Sequence, residues 1–162
     1  WSATTTRTDA DAVMTEVLFY HLTESTLEEA LPSLLERSLA RGWRAVVQVG
    51  GEERRDALDQ HLWTYSDDSF LAHGTEHDHH PQHQPVLLTC GVSNPNGARI
   101  RFIVDGASPP ELSDYERAVF LFDGHDGAQV EQARGHWKAM KAAGHQATYW
   151  QQTPERRWER KA

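Results

Sequence analysis

A chain of 162 residues, 38% hydrophobic and 25% charged, has the size of one domain and enough apolar material for one core. A formal net charge of −8 argues against a surface that coats bare nucleic acid, and no apolar run nears the roughly 18 residues of a membrane span. The single cysteine, Cys90, excludes an internal disulfide and fits a reducing, cytoplasmic setting.

The opening "WSATTTRTDADAV" (1–13) lacks apolar periodicity and reads as a disordered extension or an expression remnant, with no legible signal peptide; residues 14–162 are expected to form a single domain. "EVLFYHL" (16–22) predicts a buried strand. The helical spacing of Leu27, Leu31, Leu34, Leu35 and Leu39 predicts a helix over 25–42, capped by Ser25 or Thr26 and stopped by Gly42. Pro32 fits that helix only if it begins late or bends there. "WRAVVQV" (43–49) predicts a second buried strand, and Gly50-Gly51 turns the chain into a helix over 52–65. Strands follow at 85–90 and 98–106, and "SNPNG" (93–97) between them predicts a hairpin or tight connection. A strand over 117–124, a helix over 127–143 and a last strand over 146–152 complete the chain. Strands alternating with helices indicate an α/β fold, a mostly parallel sheet with helices on both faces.

The strand-to-helix turns carry no nucleotide loop: neither G-x-G-x-x-G nor G-x-x-x-x-G-K-[ST] occurs in the sequence. Gly50-Gly51 could present backbone N–H groups to a phosphate, making a nucleotide-binding regulator conceivable, but Glu52 and Glu53 would repel the anion. Cys90 falls in an apolar strand and reads as inert core, and no serine sits in a G-x-S-x-G elbow. The paired acids Asp67-Asp68 and Glu52-Glu53 lie outside apolar runs and read as solvated surface, so no catalytic residue is assigned.

Two clusters compete for a functional role. His73, His77, His79, His80 and His83 crowd one stretch, and with Asp67, Asp68 or Asp78 they define the alternative reading, a metal-dependent hydrolase. Gly74, Pro81 and Pro85 mark that stretch as a flexible surface loop, however, rather than a rigid set of ligands; no metal or other cofactor is expected. The second cluster is "ARGHWKAMKAAGH" (133–145), where Arg134, Lys138 and Lys141 fall at i, i+4 and i+7 on one helix face with Trp137 beside them. Gly144 ends that helix. Residues 126–162 hold seven Lys/Arg against four Asp/Glu, while residues 1–125 hold nine against twenty. Local positive charge beside an aromatic ring on an acidic body suits a short anionic peptide with an apolar side chain.

From Met14 onward the chain resembles the chi subunit of bacterial DNA polymerase III holoenzyme. The likeness rests on "ALDQHLWTYSDDSFLAHG" (57–74), on "ARGHWKAMKAAGH" (133–145), on the opening "VLFYHL" and on the element order. The resemblance implies a three-layer α/β fold similar to Rossmann and helicase-like domains and a non-enzymatic accessory role, linking the clamp loader to the acidic C-terminal tail of single-stranded DNA-binding protein. It implies tail binding by Arg134, Trp137, Lys138 and Gly144, with Lys141 completing the basic stripe. Trp137 stands where the family often has tyrosine. Trp63 and Phe70 are implied as the site for the psi subunit or another replication or repair protein, with DNA reached only indirectly. The His-rich loop is not part of the family pattern.

Overall fold

The structure, a computed structural model, describes residues 15–64, 72–78 and 80–162. The extension expected over 1–13, and Asp67, Asp68, Phe70 and His79, lie outside these described residues. The strands are β1 (Glu16–Leu22), β2 (Ala45–Gln48), β3 (Gly74–Thr75), β4 (Val86–Thr89), β5 (Ile100–Val104), β6 (Arg117–Asp123), β7 (Gln146–Gln152) and β8 (Trp158–Arg160). The α-helices are α1 (Leu27–Ala40), α2 (Glu52–Thr64) and α3 (Gly127–Ala142), with a 3-10 turn at Pro81–His83. One sheet has the order β3-β4-β2-β5-β6-β1-β7-β8. Every pairing in it is parallel except the antiparallel β7–β8.

The near-continuous apolar runs have a simple cause, since β2, β4 and β5 are buried along their whole length because both faces of the sheet are covered. Ala45, Val47, Phe102 and Val104 point to one face and pack with Leu31, Leu35, Leu58 and Leu62 of α1 and α2. Val46, Ile103, Phe19 and Phe120 point to the other and pack with Ala133, Val130 and Trp137 of α3. Helices on both faces of a mostly parallel sheet make the three-layer α/β sandwich that the sequence indicates.

Thr26 caps α1 in a reciprocal capping box with Glu29. The helix neither begins late nor excludes Pro32, which lies buried inside it. A proline there cannot donate to the carbonyl four residues back, which belongs to Glu28. The His61 ring of α2 supplies the missing donor, with Nε2 2.7 Å from the Glu28 carbonyl oxygen, so the defect in one helix is repaired by its neighbour.

The connection through 93–97 corrects the hairpin expectation. β4 and β5 run parallel on opposite sides of β2, so Cys90–Arg99 carries the chain back across that strand instead of reversing it. The crossover is tied down by polar groups: Asn96 Nδ2 donates to the carbonyls of Ala45 and Gln84, and the fully buried Arg101 donates to those of Gly91 and Ser93. These bonds satisfy backbone groups that the sheet leaves unpaired. Cys90 also departs from expectation. It lies just beyond β4, half-buried near Arg55, and desolvation pushes its thiol above the usual cysteine range. The short strands β3 and β8 have too little apolar content to be seen in the sequence.

Candidate functional site

Helix α3 begins at Asp126, whose side chain accepts from the amides of Ala128 and Gln129. It ends where Gly144, at φ +88°, allows the Gly144 amide to reach the Lys141 carbonyl and the His145 amide that of Met140. This pair of bonds is a Schellman motif and needs the left-handed backbone that glycine adopts freely. Gly144 therefore fixes the end of α3.

Between these caps Trp137 turns toward the sheet. Its ring meets Phe19 edge-on at 5.4 Å and Tyr149 edge-on at 6.0 Å. Beside it opens a cavity of about 320 Å³, walled by His21, Phe122, Val130, Trp137 and Tyr149, with Arg134 and Lys138 also on its lining. Arg134 reaches Glu131 at 2.9 Å while both side chains stay largely exposed, so their pairing is weak and exchangeable. Lys138 forms no ion pair among the described residues, and Lys141 holds its ammonium 4.9 Å from the centre of the Trp137 ring. The structure thus brings Arg134, Trp137 and Lys138 onto one cavity. Lys141 covers the indole beside it, and Gly144 serves the helix end.

Four walls of this cavity escaped the sequence reading: His21, Phe122, Val130 and Tyr149. Three come from separate strands that only the parallel order of β6, β1 and β7 makes adjacent, and a local pattern search has no access to that order. His21 Nδ1 and the Tyr149 hydroxyl share a hydrogen bond of 2.6 Å. Desolvation lowers the pKa of His21, with His125 adding repulsion, and raises that of the Tyr149 phenol, which the charge of Arg134 partly offsets. Both shifts favour neutral groups, so the cavity is apolar inside and positive at its lip.

The histidine stretch is dispersed. The His73 side chain is fully buried with Nε2 3.1 Å from the Asp59 carboxylate, while His77 faces Arg55 and the His80 and His83 rings lie 5.7 Å apart. Among the described residues, no three His, Cys, Asp or Glu side chains gather as metal ligands. The stretch is also more built than its composition predicts: β3 lies within it, and Asp78 accepts from the Thr75 amide at 2.7 Å.

At Gly50 an added Cβ would overlap the Asp105 carbonyl, so the glycine is required by a close backbone approach. The adjoining crevice of about 280 Å³ is lined by Glu28, Asp105 and Asp123, and its Arg54 is committed to Glu28 at 2.7 Å and Asp105 at 3.2 Å. Such a lining opposes a phosphate.

Trp63, at the end of α2, is 50% exposed, and its ring centre lies 4.4 Å from that of His73. Among the described residues no helix is long and apolar enough to cross a membrane.

Comparison with known proteins adds a family. Residues 14–148 match the sequence family described as DNA polymerase III chi subunit, HolC. A relative from Rickettsia prowazekii (strain Madrid E), named "Probable DNA polymerase III subunit chi", is 28% identical over 109 residues, covering 67% of this chain. The matched part spans 66% of that relative, just under two thirds of its length.

Proposed function

The chain belongs to the DNA polymerase III chi subunit family, and from that premise, which makes it an accessory subunit of DNA replication, we propose that the α3 cavity captures the acidic C-terminal tail of single-stranded DNA-binding protein. In this reading the protein is non-catalytic, works in the cytoplasm without a cofactor, and links the tail to the clamp loader. The observation that carries it is the cavity's composition: aromatic and aliphatic walls with Arg134 and Lys138 at the lip.

The tail that the family resemblance implies, ending in Pro-Phe after aspartates, matches both halves. The terminal ring fits the space between Trp137, Phe122 and Tyr149, where aromatic contact adds to burial. Arg134 can release Glu131 and hold a carboxylate in two parallel hydrogen bonds. The second attachment, through Trp63 with Phe70, serves the psi subunit or another replication or repair protein, so that DNA is reached only through partners.

The test is fluorescence anisotropy of a labelled tail peptide. Each charge-assisted hydrogen bond contributes about 1.5–3 kcal/mol, and about 1.4 kcal/mol is a factor of ten. Arg134→Glu should therefore weaken binding by about tenfold or more, and beyond Arg134→Ala, because it repels the aspartates. Unchanged affinity in Arg134→Glu would remove the site.

A further inference from the structure

On the opposite face of the sheet, between α1 and strands β5, β6 and β1, runs a groove of about 360 Å³. Its floor is apolar, built from Leu18, Phe102 and Val119 with Leu34 of α1 on the wall. Its rim is basic, with Arg37 projecting from α1, Arg41 from the cap at its C-terminus and Arg117 from the start of β6. Arg117 is engaged by Glu16 at 2.6 Å, and Arg41 lies 4.7 Å over the Trp43 ring. Arg37 and Arg41 form no ion pair among the described residues, although residues 1–125 carry twenty acids against nine Lys/Arg. Past Arg37 lies a neighbouring hollow lined by Arg156, Arg157 and Trp158, where Arg156 pairs with Glu29 at 3.4 Å and Arg157 adds a further positive charge.

An apolar floor takes up an apolar side chain, and guanidinium groups with no carboxylate partner among the described residues take up carboxylates in fork geometry. A nucleic-acid strand fits less well. It requires open aromatic faces on which bases can stack, whereas of the groove's aromatic rings Tyr20 is already stacked on Trp158 at 4.5 Å and Phe102 is buried in the floor. We propose that this groove is a second docking site, for an acidic peptide segment that lays a bulky apolar side chain on the floor and its carboxylates on Arg37 and Arg41. The groove lies across the sheet from the α3 cavity, so both can be occupied at once and neither proposal depends on the other.

The probe is a labelled, doubly capped peptide, acetyl-Asp-Glu-Leu-Phe-Asp-Glu-amide, titrated by anisotropy. The parent should bind saturably. Arg37→Gln/Arg41→Gln should lose about tenfold or more, Arg37→Lys/Arg41→Lys should lose less because it keeps the charge, and Arg134→Glu should stay within about twofold of the parent. Amide resonances of Leu18, Ser38 and Val119 should shift on titration. Absence of saturable binding, or equal binding by the Gln and parent proteins, would overturn the proposal. Loss with Arg134→Glu would place the peptide in the α3 cavity instead, displacement by oligo-dT would make the groove a nucleic-acid site, and self-association abolished by the Gln variant would make a second copy the occupant. Each of these would also overturn it. Because Arg134→Glu is tested with both peptides, failure here is distinguishable from failure of the tail site.

Discussion

The ammonium of Lys141 lies 4.9 Å from the centre of the Trp137 indole. One face of that ring is therefore already covered, and Phe19 and Tyr149 fix its orientation by edge contacts. The proposed tail's terminal ring would therefore enter from the cavity side rather than stack on the Lys141 face. In the proposed tail site Lys141 would act through Trp137, whereas Lys138 lines the cavity itself. An exposed cation–π contact contributes about 0.5–1 kcal/mol, so Lys141→Ala should weaken tail binding about two- to fivefold, and Lys138→Ala should cost more. A larger loss in Lys141→Ala than in Lys138→Ala, measured by peptide titration, would show that Lys141 touches the ligand directly.

Stability should fall between neutral and mildly acidic pH. Desolvation holds the pKa values of both His21 and His136 down; at His21 the charge of His125 adds to this and that of Asp123 opposes it. The unfolded chain takes up these protons near pH 6.5, while the folded chain takes them up only lower. Stability is thus fully present above about pH 6.5 and is lost as pH falls through the lowered folded values. Thermal unfolding from pH 8 to 5 should show this decline, and His21→Gln/His136→Gln should flatten it. An equal slope in the double variant would assign the decline to other groups.

Arg101 is fully buried, and burial lowers its pKa. Its guanidinium donates to Gln48 Oε1, to the carbonyls of Gly91 and Ser93, and to the Tyr115 hydroxyl. Arg101→Met would leave these acceptors buried without a donor, at a cost of about 1–3 kcal/mol for each group left unsatisfied. The expected loss is on the order of 3–5 kcal/mol, measurable by urea unfolding. Arg101→Lys should not restore it, because one ammonium cannot reproduce the planar fork. A loss below about 1 kcal/mol would mean that water replaces the arginine.

The elements that pack by periodicity were legible in the sequence: β1, β6 and β7 announce themselves by apolar runs, and α1 and α3 by spacing and caps. What was hidden depends on contacts between distant residues. Pro32 looks as if it needs a late start or a bend in the helix until His61 is known to serve the Glu28 carbonyl. "SNPNG" looks like a hairpin because turn residues do not encode which strand comes next to which. Arg101 looks like a polar interruption in a strand because its acceptors lie far off in sequence, at Gln48 in β2, Gly91, Ser93 and Tyr115. In the same way Arg134, Trp137 and Lys138 could be read from one helix face, whereas His21, Phe122 and Tyr149 come together only through the sheet order.

The exposed Trp63 supplies the last prediction. A tryptophan left 50% exposed at a helix end is a large apolar surface that water covers poorly, and such rings are common binding hot spots. It is also held in place. The His73 ring lies 4.4 Å away and is anchored through Nε2 to Asp59, so the indole is presented by a buried support. Trp63→Ala should weaken the psi subunit or an equivalent partner by about 2 kcal/mol or more, roughly thirtyfold. Because half of the ring is already in water, it should cost far less in stability than a core truncation. Tail-peptide affinity should be unchanged, since α2 and α3 lie on opposite faces of the sheet and distant sites act independently. His73→Ala should weaken the same partner by loosening the support, whereas replacing His77, His79, His80 and His83 with serine should leave it intact. Calorimetry with the partner and anisotropy with the tail peptide separate these effects. If Trp63→Ala reduces both affinities equally, or unfolds the domain, the ring is part of the fold and the partner surface must be sought elsewhere.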